Sequence, residues 1–361
     1  DVILITYGSS IRAPGERPLE TLLHFLRTRV QHRISCVHIL PFFPATSDDG
    51  FSVRDYMTVD PSLGTWEDIA ALGSHYTLMF DLVINHVSAS HPWFTEFLSQ
   101  PAPGNDFFPV QDPDGDYSLV VRPRTSPLFT AFPAVDGIRK VWTTFSSDQV
   151  DLNFSNPLVL FELIRVMLFY ISKGVRILRL DAIAFLWKGK NTRCLHLPGT
   201  HEVVKLLRDI AGYAAPGTLI LTETNVPQPE NLSYFGKGDE AQMVYQFTLP
   251  PLLLYTLLKG NAEALSSWAE RLPALPAGQT FLNFTASHDG IGIRPLEGIL
   301  PPEEAIQLAA VIRQSGGAIS ERNQPDGTIG IYELNVTWFS AMQQPFTGSD
   351  TFRKPVLCVH N

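Results

Sequence analysis

Short runs of apolar residues recur along the chain, and between them lie longer stretches whose apolar positions repeat every three or four residues. The runs are VILITY (2–7), CVHIL (36–40), LMFDLVI (78–84), VRILRLD (175–181), LILTE (219–223), MVYQF (243–247) and TFLNFTAS (280–287). Helical periodicity marks PLETLLHFLRTRV after the first run, PLVLFELIRVMLFYISKG before the fourth, HEVVKLLRDIAGYA after it and PLLLYTLLKGNAEALSSWAERL after the sixth. Strands that are apolar on both faces and alternate with helices belong inside a covered parallel sheet. Seven such units predict an α/β fold, a (β/α)8 TIM barrel whose eighth strand is in doubt. An open doubly wound sheet is the alternative, but no Gly-x-Gly-x-x-Gly follows the first strand.

Two stretches interrupt the alternation. Residues 87–156 follow the third strand, are rich in Pro, Gly, Asp and Phe, and show no long helical period, which predicts a small inserted domain. Residues 290–342 follow the seventh strand and contain the turn-rich NQPDGT, which predicts a second insertion. The barrel is then built from 1–86, 157–289 and 343–361. In the last segment PVLCVHN reads equally well as a short strand or as the start of a helix. Both insertions leave from the C-terminal ends of strands, the face where barrel enzymes build their sites. The chain starts at Asp1, already inside a strand, so a mature, trimmed or incomplete N-terminus is expected.

Composition narrows the function. Of 361 residues, 45% are apolar and only 17% charged, enough for a large core, and the formal net charge is −9. An acidic balance argues against nucleic acid or an anionic membrane as partner. Cys36, Cys194 and Cys358 are far apart with no CxxC spacing, which suggests free thiols in a reducing, cytoplasmic setting. No run of 18 apolar residues occurs.

The polar residues that remain collect at the expected strand ends. They are Asp48 and Asp49 after strand two, Asp81, Asn85 and His86 at strand three, and Arg179 and Asp181 at strand four. Glu223 ends strand five, and His288 and Asp289 follow strand seven. Any one of these reads most simply as a helix cap or a solvated rim charge. A barrel would bring them all to one mouth, where repulsion among the acids would spread their proton affinities as acid/base chemistry requires.

DLVINH, RILRLDAIA, LILTETN and FTASHD, in this order, resemble the four motif regions of the α-amylase family of retaining glycosidases and transglycosidases. The resemblance implies Asp181 as nucleophile, Glu223 as general acid/base and Asp289 as the third acid, which grips two hydroxyls of the sugar. It implies that Arg179 orients Asp181, that His86, His288 and Phe51 bind the sugar, and that Asp48 closes the glucose pocket. ILPFFPATSDDGF, RPRTSPL, VWTTFSSDQVDLNFSNP and HDGIGIRPLEG are similar to the sucrose-phosphorylase branch. That likeness implies phosphate and acceptor contacts from Arg122, Arg124, Tyr332 and Glu333, with Arg124 the phosphate ligand. Glu333 stands where that branch usually carries Gln, and the chain resembles the subgroup that phosphorolyses glucosylglycerate.

The implied activity is transfer of glucose from a small-molecule α-glucoside to inorganic phosphate, without cofactor or metal; a homodimer is compatible with it. Phosphorylases of sucrose, sucrose 6′-phosphate or glucosylglycerol are the alternatives, as are an α-glucoside hydrolase or transglucosidase and an inactive sugar-binding fragment. Arg193, His196 and His201, in the loop after the nucleophile, read equally as binders of an anionic acceptor or as loop structure.

Overall fold

The computed structural model describes residues 1–102, 105–323 and 328–342, so the expected final segment 343–361, with Cys358, lies outside the described residues. Two compact units are formed: Asp1–Glu223 with Asp239–Gln242, and Thr224–Gly238 with the residues from Met243 onward.

The first unit is organised around strands β1 (Ile3–Thr6), β2 (Cys36–Ile39), β3 (Thr77–Val83), β8 (Val175–Asp181) and β9 (Leu219–Thr222), hydrogen-bonded in that order and all parallel. β2 is buried at every position, as expected of a strand covered on both faces. Helices α1 (Pro18–Phe25) and α2 (Trp66–Gly73) lie in the first two connections, α4 (Pro157–Ser172) precedes β8, and α5 (Pro198–Ala214) joins β8 to β9. The starts of these helices follow local chemistry. Thr65 and Asp68 make a capping box for α2, and the Asn156 side chain accepts from Leu158 N at 3.0 Å just before Pro157 opens α4. Gly174, at φ 94°, turns the chain from α4 into β8. An aromatic layer fills the sheet–helix interface: Phe43 stacks on Tyr170 at 5.0 Å between ring centres, and Phe80 meets Phe42 edge-on at 4.9 Å.

Between β3 and α4 lie short β4 (His86–Ser88), α3 (Pro92–Ser99), the hairpin β5 (Phe129–Ala134) and β6 (Gly137–Trp142), and β7 (Gln149–Asp151). β4 and β7 pair antiparallel with His86 opposite Asp151, so the far end of this segment returns to the end of β3. The short helix α3 has no expectation behind it. Eight residues are too few to show a period, and its start is set by His91, whose Nδ1 accepts from Trp93 N at 3.1 Å.

The second unit begins with α6 (Gln228–Leu232) and holds the parallel pair β10 (Met243–Tyr245) and β11 (Thr280–Leu282), with α7 (Leu249–Lys259) and α8 (Glu263–Glu270) between them. The TFLNFTAS run therefore gives a strand of three residues, because β11 is laddered only as far as β10 runs beside it. Beyond it, β12 (Ile291–Gly292) and β13 (Ala318–Asn323) flank β14 (Ile329–Asn335) in an antiparallel sheet. α9 (Pro302–Gln314) and α10 (Trp338–Ala341) complete the described elements. Leu252, Leu254, Trp268, Leu308, Ile312, Leu334 and Trp338 form this unit's core.

His91 offers a pH test of the first unit. Its ring is buried against Trp93 and Tyr56, and burial pushes its pKa from the ordinary 6.5 down to about 4. The unfolded chain takes up this proton first. The contribution to stability is therefore complete above pH ~6.5 and is lost as pH falls towards 4, about 3 kcal/mol over that window. His91→Asn, which keeps a capping acceptor, should flatten this part of the stability–pH curve in urea titrations. An unchanged slope would show that another group titrates there.

Candidate active site

Alternation along a strand decides which side chains can meet. In β3 and β8 the residues Asp81, Arg179 and Asp181 fall on one face, and the ladder pairs Asp81 with Arg179 and Val83 with Asp181. Arg179 Nη1 donates to Asp181 Oδ1 at 2.8 Å and to Asp81 Oδ1 at 2.5 Å. The other oxygen of Asp81 lies 2.7 Å from His38 Nε2 on β2. Asp81 and Arg179 are almost fully buried, and Asp181 is only 8% exposed. Charges so enclosed persist only when paired and hydrogen-bonded. Arg179 also lies over the Phe51 ring, 5.6 Å from its centre.

Glu223 sits one residue beyond β9, in line with Asp181, because Leu180 pairs with Thr222. Its amide donates to Leu180 O at 3.2 Å, and its carboxylate accepts from Ala182 N at 2.9 Å. The two acids are thus one peptide unit apart in contact, although 42 positions separate them in sequence. Ala182 holds a left-handed conformation, φ 53°, which is costly for a residue with a Cβ and is maintained where the surroundings enforce it. Tyr56 donates to Val83 O at 2.7 Å; its pKa is pushed up by burial and then by the charge of Asp181, so it remains a donor.

His86 and Asp48 are joined by a residue with no sequence expectation, Gln149. Its Nε2 donates to Asp48 Oδ2 at 2.7 Å and lies 3.1 Å from His86 Nε2, which in turn lies 3.0 Å from Phe51 O. Burial lowers the pKa of His86, so the ring is held neutral. Asp48, Phe51, His86, Arg179, Asp181 and Glu223 thus all belong to the first unit. Arg122 and Arg124 do too, but they differ. Arg122 donates to Ser126 O within its own loop, and its partly buried guanidinium feels Asp151. Arg124 is partly buried in the same loop.

His288, Asp289, Tyr332 and Glu333 belong to the second unit. His288 is enclosed, with Nε2 3.3 Å from Asp289 Oδ2, whereas the Asp289 side chain is 48% exposed. Tyr332 is buried in β14, and Glu333 beside it pairs with Gly292.

The catalytic domain of α-amylases matches residues 31–271 of this chain. The chain belongs to the α-amylase family. A glucosylglycerate phosphorylase of Allomeiothermus silvanus is 51% identical over 349 residues, covering 96% of this chain and 62% of that protein. One from Escherichia coli is 48% identical, over 95% of this chain and 62% of its own length. The chain therefore spans about 62% of the length of these curated relatives. The crystal structure of a sucrose 6F-phosphate phosphorylase from Thermoanaerobacter thermosaccharolyticum superposes with a TM-score of 0.81 at 29% identity, covering 94% of this chain and 70% of that one. The fold class is accordingly the α/β barrel of this family, as the strand pattern implied.

Some α-amylase relatives hold calcium through an asparagine like Asn85. Here the residues do not fit such an ion. Asn85 Oδ1 accepts from Lys188 Nζ at 3.0 Å, the same ammonium lies 2.6 Å from Asp151 Oδ2, and Asp151 also accepts from Thr144 N and Oγ1 at 2.7 and 2.6 Å. A second cation would be repelled by the one already there. Nothing local to Lys188 signalled this role, since Asn85 is 103 residues away. His201, expected in a loop, lies in the first turn of α5 and pairs with Glu240 at 2.7 Å, a contact within the first unit.

Lys188→Met should destabilise the first unit by about 3 kcal/mol or more, because it leaves the Asp151 carboxylate buried without its cation. Urea denaturation measures this, and a loss below about 1 kcal/mol would count against it. Added calcium should leave the melting temperature of the unaltered chain where it is; a rise would mean that the ion binds in spite of the lysine.

Proposed function

We propose that the chain carries the catalytic apparatus of a retaining α-glucoside phosphorylase, with glucosylglycerate as the donor. The chemistry rests on one observation above all: a single guanidinium nitrogen holds Asp181, and the carboxylate of Glu223 lies on the next amide. An oriented carboxylate nucleophile beside a second carboxyl group is what double displacement at an anomeric carbon needs. The choice of donor rests on the likeness to glucosylglycerate phosphorylases and on Glu333, where sucrose phosphorylases usually carry Gln.

In this reading an Asp181 oxygen attacks the anomeric carbon and forms a glucosyl ester. The bond from that carbon to the glycerate oxygen breaks, and Glu223 gives its proton to that oxygen. Glycerate leaves and phosphate enters. A phosphate oxygen attacks the same carbon as its proton passes to Glu223, and the ester bond returns to Asp181 as a carboxylate. Two inversions give α-glucose 1-phosphate. Arg179 keeps the attacking oxygen aimed and stabilises its charge. Asp48, Phe51, His86, His288 and Asp289 hold the glucose. Arg124 holds phosphate, with Tyr332 and Glu333 on the acceptor side; Arg122 shapes the loop that carries Arg124.

The defining assay is release of glucose 1-phosphate from a panel of α-glucosides with and without phosphate. Asp181→Asn should lower turnover at least about a thousandfold, because no neutral amide can form the ester. Near-normal turnover would remove Asp181 as nucleophile. Arg124→Ala should raise the KM for phosphate and shift products from glucose 1-phosphate towards free glucose, with much less change in formation of the glucosyl-enzyme. The product ratio measured across phosphate concentrations checks this, and an unchanged ratio would place phosphate elsewhere.

A further inference from the structure

Arg294 follows β12 in the second unit, and its side chain is only 8% exposed, yet it makes no hydrogen bond with any described residue. The nearest carboxylate oxygens are Glu297 Oε1 at 3.7 Å and Glu230 Oε2 at 3.9 Å, both beyond hydrogen-bond reach. Of its nitrogens Nε is the one fully buried without an acceptor among the described residues, and an enclosed N–H left unpaired is costly. Near it lies a second guanidinium, that of Arg322 on β13, 14% exposed, whose Nη2 donates to Glu297 Oε1 at 3.0 Å. The Nε atoms of both arginines are buried without a partner among the described residues. The pKa of Arg322 is lowered, first by burial and then by the charge of Arg294.

Among the described residues these two adjacent, largely enclosed cations make one side-chain hydrogen bond, Arg322 to Glu297, so donors remain for a further anion. Guanidinium groups take carboxylates and phosphates through paired N–H donors. The two glutamates flanking the pair are more exposed, 29% and 48%, and bring the local formal charge to zero. A singly charged ligand suits such a place better than a doubly charged one. The same segments carry the acceptor-side residue Tyr332: Ile293 N, next to Arg294, donates to Tyr332 O at 3.0 Å, and the Tyr332 hydroxyl contributes to the field at Arg322.

We infer that Arg294 and Arg322 form an anion subsite in the second unit that takes the carboxylate of the glucoside's acceptor moiety. This deepens the phosphorylase reading and rests on it for the identity of the acid.

The test is calorimetric titration of the full chain with potassium D-glycerate, glycerol and inorganic phosphate, for the unaltered protein and for Arg294→Gln and Arg322→Gln. The Kd for glycerate should rise at least tenfold in each variant, and that for phosphate should stay within about twofold. The ratio of kcat/KM for glucosylglycerate to that for uncharged glucosylglycerol should fall by a similar factor. Unchanged glycerate affinity in a folded variant overturns the subsite, and so does a loss confined to phosphate. Should Arg294→Gln not fold, Arg322→Gln on the more exposed arginine decides. Failure of the broader reading looks different: the unaltered chain would then release no glucose 1-phosphate from glucosylglycerate, whether or not the arginines bind glycerate.

Discussion

Arg179 Nη1 is shared by two carboxylates that the sheet buries, Asp181 at 2.8 Å and Asp81 at 2.5 Å. Each acid alone would be an uncompensated charge in an apolar layer, and Arg179 alone would be another. Together, with His38 on the far oxygen of Asp81, they form a chain of contacts across three neighbouring strands. The arrangement fixes register. A slip of one residue between β3 and β8 would turn Arg179 to the helix-facing side and leave Asp81 enclosed without its cation. The reactive geometry and the sheet are held by the same interaction, so the candidate nucleophile cannot be displaced without disturbing the strands beneath it.

Strain gathers where those strands end. Ala182, Asp48 and Asp49 all have positive φ although none is glycine. Each region is tied down by contacts from distant sequence. Ala182 N is held by Glu223, and Asp48 by Gln149, which the pairing of β4 with β7 returns to the strand end. Asp148, next to Gln149, accepts from Ser47 Oγ at 2.5 Å, Thr46 Oγ1 at 2.5 Å and Ser52 Oγ at 2.8 Å. Burial works to raise the pKa of Asp148, but these hydrogen bonds outweigh it and hold the carboxyl below the usual range. The inserted segment therefore acts as a clamp on the loop that carries Asp48 and Phe51.

The parts of this architecture that were legible in sequence are those written locally. A strand apolar on both faces reads as covered, and VRILRLD became β8 residue for residue. Asp181 and Glu223 stood out because a carboxylate closes each apolar run. The partners that make those residues usable were harder to read, since contact depends on the fold. Asp148 and Gln149 meet the Asp48 loop across about a hundred positions, and Lys188 meets Asn85 across a similar span. The two arginines of RPRTSPL look equivalent as letters, but one of them is turned back onto Ser126 by the loop. Helices α3 and α9 sit in segments dominated by turn residues, where caps and tertiary packing set the start and end more than periodicity does.

Two buried cations in this chain show how enclosure can serve different ends. Lys188 is surrounded by acceptors: Asp151 and the Asn85 side chain take its protons, and Asp151 is itself completed by Thr144. Such a group is closed to further ligands, and its work is to fasten the inserted segment to the end of β3. Arg294 is as enclosed as Lys188 but lacks acceptors within hydrogen-bond distance among the described residues. Lys188 is hydrogen-bonded on several sides, whereas Arg294 has two carboxylates at ion-pair distance and a hydrogen bond to neither, so its donors can still gain by meeting a closer anion. The difference in satisfaction, rather than the difference in burial, separates a cation that holds structure from one positioned to recognise a ligand.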